Sequence, residues 1–192
     1  MLERLPAAVR EQLKSLDLRL DTRTPVPEIQ ILLNRTALAG GKKLRPALCF
    51  LMGGLLGLPL ADLAPYARAA ELTHSASLAH DDVIDTAMKR RNRPTLNAVA
   101  SNTRAVLAGD LLLARVMVEL SARGHVEIIQ DLSRAVEDLV SGEWLQLEAK
   151  NVVDIERRQL EETARLKTAS LIGWVCSVPT RVPLNSARAP SS

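Results

Sequence analysis

The chain has 192 residues and a formal net charge of +3, with 47% hydrophobic and 24% charged residues. That supplies enough apolar material for one folded core and excludes wholesale disorder. Aromatic residues make up only 2% while Leu and Ala dominate, which argues against a β-sandwich or barrel and for helices. Two cysteines, Cys49 and Cys176, are too few for a disulfide scaffold, and the first residues show no basic region leading into an apolar one. The longest uncharged run, residues 47–61, holds Gly53, Gly54, Gly57 and Pro59 and is too short to span a bilayer. The expectation is a cytoplasmic protein without a transmembrane segment.

In chain order, Leu2, Leu5, Val9, Leu13, Leu16 and Leu20 recur at helical spacing and predict an amphipathic first helix. Thr24-Pro25-Val26-Pro27 interrupts it. A second helix over residues 28–39 ends at Gly40-Gly41, and a third covers residues 44–56. Pro59 and Pro65 mark a turn before a long helix over residues 66–87. The basic stretch from Lys89 to Arg93 ends at Pro94 and reads as a loop or frayed helix end. Helices are expected over residues 95–122, 126–149 and 154–171, punctuated by Gly124 and Asn151. No stretch alternates with a period of two over strand length, so the fold class is all-α. From Pro179 the helical stripe is lost, and a disordered tail is expected.

The sharpest feature is His80-Asp81-Asp82-Val83-Ile84-Asp85 inside an otherwise apolar stretch. Asp81 and Asp85 stand four apart, on one helix face about one turn from each other. Like charges at that spacing repel by roughly 0.2–0.5 kcal/mol. A divalent cation would offset the repulsion, and carboxylates without clustered Cys or His favour Mg²⁺ over Zn²⁺. Because Mg²⁺ favours one or two carboxylates together with phosphate oxygens, a phosphorylated substrate is the natural second ligand. The alternative is a solvated acidic helix face, against which the flanking Leu78, Ala79, Val83 and Ile84 argue.

Two basic groups bracket this cluster. In Gly40-Gly41-Lys42-Lys43-Leu44-Arg45-Pro46, Lys42 and Arg45 stand three apart at a helix start, where the helix end adds partial positive charge. In Lys89-Arg90-Arg91-Asn92-Arg93, guanidinium forks match phosphate oxygens. Either group alone could be a solubilising turn. A nucleic-acid partner is disfavoured, because the acidic cluster would repel a polyphosphate backbone and no aromatics are interleaved for stacking.

Taken with Glu71-Leu72-Thr73-His74, Pro94-Thr95, Gly109-Asp110, Gly142-Glu143 with Gln146, and Lys167-Thr168, these motifs resemble the trans-isoprenyl diphosphate synthases of the polyprenyl synthetase family. The resemblance implies an isoprenoid-synthase-like helical bundle that condenses isopentenyl diphosphate with an allylic diphosphate and uses Mg²⁺. By this likeness Asp81 and Asp85, supported by Asp82, would hold the metal against the allylic diphosphate. Arg90 and Lys167 would contact that diphosphate, and Thr168 would line the cationic centre. Lys42, Arg45, His74 and Arg91 would clasp the diphosphate of isopentenyl diphosphate, with Glu143 and Gln146 near the metal. The alternatives are a hydrogen-bonded core histidine for His74 and surface polar groups for Glu143 and Gln146.

One turn before Asp81 stand Ala76 and Ser77, with Thr73 and Ala70 further back; these are expected to line the passage leading from the metal site. Short-chain members of the family place a bulky aromatic there, so small residues predict a long prenyl product. The likeness stops after Lys167-Thr168, and no Asp or Glu follows Glu162, so a second aspartate-rich motif is lacking. Residues 1–175 are therefore read as the N-terminal portion of a polyprenyl synthetase domain. Residues 176–192 are read as a disordered or non-family tail, like a truncated or out-of-frame ending, with little elongation expected from the chain alone. The alternatives are a non-catalytic partner of a full-length synthase, or a single-motif terpene cyclase or diphosphate-cleaving enzyme. A homodimer is the oligomer that the family implies.

Overall fold

A computed structural model describes residues 2–20 and 26–183. The chain folds as a helical bundle: α1 (Ala7–Ser15), α2 (Pro27–Arg35), α3 (Leu44–Leu55), α4 (Leu60–Ile84), a small hairpin β1 (Lys89–Arg90) and β2 (Arg93–Pro94), α5 (Leu96–Val99), α6 (Asn102–Ser121), α7 (Val126–Glu148), α8 (Arg157–Ala164) and α9 (Ser170–Ser177). A single π-helical turn, Arg165–Ala169, joins α8 to α9. The all-α expectation holds.

Helix α4 is the centre of the molecule. Its buried residues lie all around it, from Leu63 and Tyr66 through Leu72 and Ala76 to Ala79 and Asp82. A helix buried on every side shows no single apolar stripe, and α4 packs on both α3 and α6. Small residues make that possible. Ala67, Ala69, Ala70 and Ala76 are fully buried and let neighbouring helices approach closely, while Phe50, Leu63, Leu112, Leu120 and Leu132 fill the space between.

Several boundaries differ from the expectation. Helix α1 ends at Ser15, not near Leu20, because side chains from elsewhere take up the carbonyls that another helical turn would use. Lys43 Nζ donates to the carbonyls of Leu13 and Leu16 at 3.0 and 3.2 Å, and Arg68 donates to those of Asp17 and Arg19. Leu16 and Leu20 still bury their side chains from extended backbone. Thr24 and Pro25 of the expected break lie outside the described residues; Pro27 opens α2.

Pro65 does not mark a turn. It sits inside α4, which begins after Pro59 and ends at Ile84. The expected helix over residues 95–122 is two, because Ser101 is in extended backbone and caps α6, its Oγ accepting from the Arg104 amide at 3.2 Å. The Lys89–Arg93 stretch is a two-residue antiparallel ladder, with Lys89 opposite Pro94 and Arg90 opposite Arg93. Arg91 and Asn92 turn it with φ of 51° and 62°, the left-handed pair of a tight hairpin.

The C-terminal reading also shifts. Residues 176–183 do not leave the body as a tail: Trp174, Val175, Val178 and Pro179 are buried, and Trp174 Nε1 donates to the Ile128 carbonyl at 3.0 Å. Arg181 pairs with Asp131 at 2.9 Å, docking this segment on α7. The rest of the expected tail, residues 184–192, lies outside the described residues.

Candidate active site

Three helical stretches build one wall-lined cavity. Along α4 and its C-cap residue Asp85, His74, Ser77, Asp81 and Asp85 recur at three- and four-residue intervals and so share a face. On α7, Glu143 and Gln146 do the same. The π-turn presents Lys167 and Thr168. Together with Arg45 from the first turn of α3, these residues line a cavity of about 660 Å³, floored by Leu78, Leu139 and Leu147. Nine residues scattered over more than a hundred positions in the sequence thus converge.

Lys167 is the hub. Its ammonium forms an ion pair with Glu143, donates to Gln146 Oε1 at 3.0 Å and stands 4.0 Å from Asp81 Oδ2. Glu143 is buried, and its Oε1 has no hydrogen-bond partner. Burial and the neighbouring Glu143 carboxylate push the Asp81 carboxyl up to about 6, although Lys167 and Arg90 oppose the rise. The cavity thus sets three carboxylates, Asp81, Asp85 and Glu143, against three cations, Arg45, Lys150 and Lys167.

On the opposite flank of α4, Asp82 is rotated about 100° from Asp81 and points away from Lys167. Arg90 Nε donates to Asp82 Oδ1 at 2.8 Å. A buried carboxylate needs such a partner, and the β1–β2 hairpin delivers it. Asp82, Arg90 and Arg91 line a separate cavity of about 240 Å³ with Gly40 and Gly41. The structure thus splits the aspartates: Asp81 and the exposed Asp85 line the cavity with Lys167, while Asp82 is spent on Arg90. Arg90, expected beside Lys167, is not in that cavity.

Of the basic group at residues 40–46, only Arg45 lines the larger cavity. Arg45 has a buried Nε without a hydrogen-bond partner, and burial lowers the pKa of its guanidinium. Burial, followed by Arg45, Arg91 and Arg90, depresses the His74 pKa to about 3, so its ring is neutral at ordinary pH. Lys42 departs from the expectation: it is exposed and lines neither cavity. Gly40, Gly41 and Lys43 all adopt positive φ, and this turn directs Lys43 inward to the end of α1 instead.

A third cavity, about 270 Å³ and mostly apolar, adjoins the first and shares Ser77, Asp81 and Glu143 with it; Thr73, Ile84, Leu113, Val140 and Trp144 complete its walls. Ser77 and Thr73 therefore border this cavity. Ala70 and Ala76 do not; both are fully buried in the core. Ala76 is turned about 100° from Ser77 toward the packed side, and Ala70 lies beyond the point where α4 closes against its neighbours.

Sequence reasoning assigned no role to Glu71, which is buried between Arg45 and Arg91; burial raises the pKa of its carboxyl while those two cations oppose the rise. A lone acid in the apolar helix three residues before His74 was the available signal. Gly142 and Gly109 were quoted but not explained. A Cβ on Gly142 would lie 2.8 Å from both Leu166 Cβ and Lys167 N, and one on Gly109 would collide with the His80 ring. His80 borders the smaller apolar cavity, its Nε2 3.2 Å from the Val106 carbonyl and 3.3 Å from Asp110 Oδ1.

Among the described residues no three acidic, His or Cys side chains form a ready-made metal cage, and no helix is long and apolar enough to cross a membrane. Two hard carboxylates on one wall nevertheless fit Mg²⁺, which takes one or two carboxylates and completes its shell with water and phosphate. The bundle with a carboxylate wall facing lysine and arginine defines an all-α protein of the isoprenoid-synthase fold. The chain belongs to the polyprenyl synthetase family, whose model matches residues 26–182. It is 41% identical over 137 residues to a prenyl transferase of Synechocystis, covering 70% of this chain and 42% of that protein. It is 37% identical over 158 residues to the mitochondrial solanesyl-diphosphate synthase 1 of Oryza sativa, covering 72% and 36%. The polyprenyl synthase from Caulobacter crescentus, solved with calcium and isoprenyl diphosphate, superposes with a TM-score of 0.87 at 26% identity, covering 93% of this chain and 55% of that one. The chain therefore spans well under half the length of these two curated relatives. The family match through residue 182 also runs past the point where the sequence likeness was expected to stop.

Proposed function

We propose that this protein acts in the head-to-tail condensation of isopentenyl diphosphate with an allylic diphosphate, giving a long prenyl chain. The single observation that carries the reading is the convergence of Asp81, Asp85, Lys167 and Arg45 on one cavity that opens into an apolar passage. A diphosphate ester with a hydrocarbon tail is the ligand class that such a pairing suits.

Asp81 and Asp85 would hold Mg²⁺, which would neutralise charge on the departing pyrophosphate. Lys167 donates to the diphosphate oxygens and stabilises the charge that develops as the allylic C–O bond breaks. Thr168, beside Lys167, borders the allylic carbons. Arg45 carries fixed positive charge to the second diphosphate with a buried N–H that still lacks a partner. Neutral His74 offers that diphosphate a hydrogen bond without titrating. Leu78, Leu139 and Leu147 exclude water from the cation; the double bond of isopentenyl diphosphate then attacks it, and the new cation loses a proton, to the departed pyrophosphate, to complete one C5 extension. The small Thr73 and Ser77 leave room for the growing chain.

The test is incubation with Mg²⁺, isopentenyl diphosphate and an allylic primer, followed by product-length analysis. Products longer than the primer by several C5 units support the reading. Cyclised or dephosphorylated products would instead indicate the cyclase or diphosphate-cleaving alternative. A second reading has its own support: the chain is 38% identical over 140 residues to component 2 of the heptaprenyl diphosphate synthase of Geobacillus stearothermophilus. Under it the chain works together with another synthase chain. Elongation that appears only on mixing with a full-length synthase would distinguish it.

A further inference from the structure

Glu143 presents an energetic problem. The carboxylate is buried, only 10% of its side chain is exposed, and Oε1 has no hydrogen-bond partner. Buried charge in that condition is destabilising unless something is gained. Its other oxygen is engaged with Lys167, whose ammonium also reaches Gln146 and approaches Asp81. Lys167 is thus surrounded by three side-chain oxygens, two of them from carboxyl groups. Gly142 makes this geometry possible. The absence of a side chain there lets α7 close on the π-turn, so Glu143, the next residue, meets Lys167.

We propose that Glu143 is a positioning residue that holds Lys167 in the substrate-free protein as a stand-in for diphosphate and releases it to the incoming diphosphate. The inference rests on the reading of the cavity as a diphosphate site. Lysine has a flexible stem, and an ion pair that fixes it beforehand removes the ordering cost from the binding step. The same contact opposes binding, because a diphosphate must displace one carboxylate and lie near its charge. Of the two carboxylates beside Lys167, Asp81 stands 4.0 Å away, whereas Glu143 is in direct ion-pair contact. Glu143 therefore trades diphosphate affinity for a well-placed Lys167.

Glu143→Gln keeps the shape and removes the charge. Two measurements separate the possibilities: acylation of Lys167 by acetic anhydride, followed by mass spectrometry, and calorimetric binding of inorganic pyrophosphate with Mg²⁺. In the variant, Lys167 acylation is expected to rise and pyrophosphate to bind tighter, each by about three- to tenfold, the worth of a partly buried ion pair. Glu143→Asp should restore both toward the starting protein, a rescue that general loosening of the fold would not give. Where elongation is measurable, kcat falls while KM for the allylic substrate falls too. Unchanged Lys167 reactivity would overturn the inference whatever pyrophosphate does, as would weaker pyrophosphate binding in Glu143→Gln. Raised reactivity combined with no pyrophosphate binding by the unsubstituted chain would instead overturn the diphosphate reading, and the exchange with it.

Discussion

Gly142 and Lys167 stand so close that a methyl group on the glycine would lie 2.8 Å from the lysine's backbone nitrogen. Gly142→Ala gains about 1 kcal/mol of helix propensity but forces α7 off the π-turn, an overpacking cost of about 1–3 kcal/mol. The net expectation is destabilisation by about 1 kcal/mol in urea titrations, together with weaker pyrophosphate binding as Lys167 shifts. Gly173→Ala is the control. Nothing lies within 4 Å of its added carbon, so it should stabilise the chain by about 0.5–1 kcal/mol.

The Asp81 carboxyl, at about 6 in the folded chain against an ordinary 3.8, takes up a proton on folding between those values. Stability should therefore fall as pH rises through that window. Asp81→Asn removes the charge and should raise stability near pH 8 by about 1–2 kcal/mol, with no gain below the ordinary carboxylate value. Thermal unfolding at the two pH values checks this. Mg²⁺ with pyrophosphate should release protons when it binds near pH 6, seen as a buffer-dependent binding heat.

His74 behaves in the opposite sense. Its folded pKa of about 3 lies below the ordinary 6.5, so the unfolded chain binds the extra proton. Its contribution to stability is intact above 6.5 and lost as pH falls toward 3, at no more than about 1.4 kcal/mol per pH unit. The ring's NMR resonances should stay flat from pH 5 to pH 8, about two units clear of its folded pKa. His74→Gln should flatten the acid limb of the stability curve.

Arg68 ties the N-terminal segment to the bundle. Its guanidinium holds Glu119 at 2.9 Å and donates to the carbonyls of Asp17 and Arg19. Arg68→Ala should cost about 2 kcal/mol and expose residues near α1 to proteolysis. Arg134→Ala, which breaks an ion pair whose arginine is 75% exposed, should change stability by less than about 0.5 kcal/mol.

The helical character and the aspartate pair could be read from order and spacing alone, whereas Lys167 entered as their partner only through the family resemblance. Asp81 and Asp85 share a face because four residues make about one helical turn, whatever else the chain does. The same periodicity separates Asp82 from them, but spacing could not say that Arg90 would be its partner. That depended on a hairpin too short to show strand alternation. Lys42 and Lys43 are adjacent and chemically alike; only the positive-φ turn through Gly40 and Gly41 decided which one turns inward. Pro65 was read as a break, yet a proline near a helix start forfeits one hydrogen bond and can be absorbed when the helix is buried.

Local chemistry needs only neighbours a turn away, and for that reason composition and motif spacing established an all-α chain with a carboxylate-rich helix. The meeting of Lys167 with Glu143, Gln146 and Asp81 is of another kind. It joins groups more than twenty and eighty positions apart, and it exists because Gly142 lets two helices touch. Close approach of backbones is a property of packing, settled when the helices dock and not before.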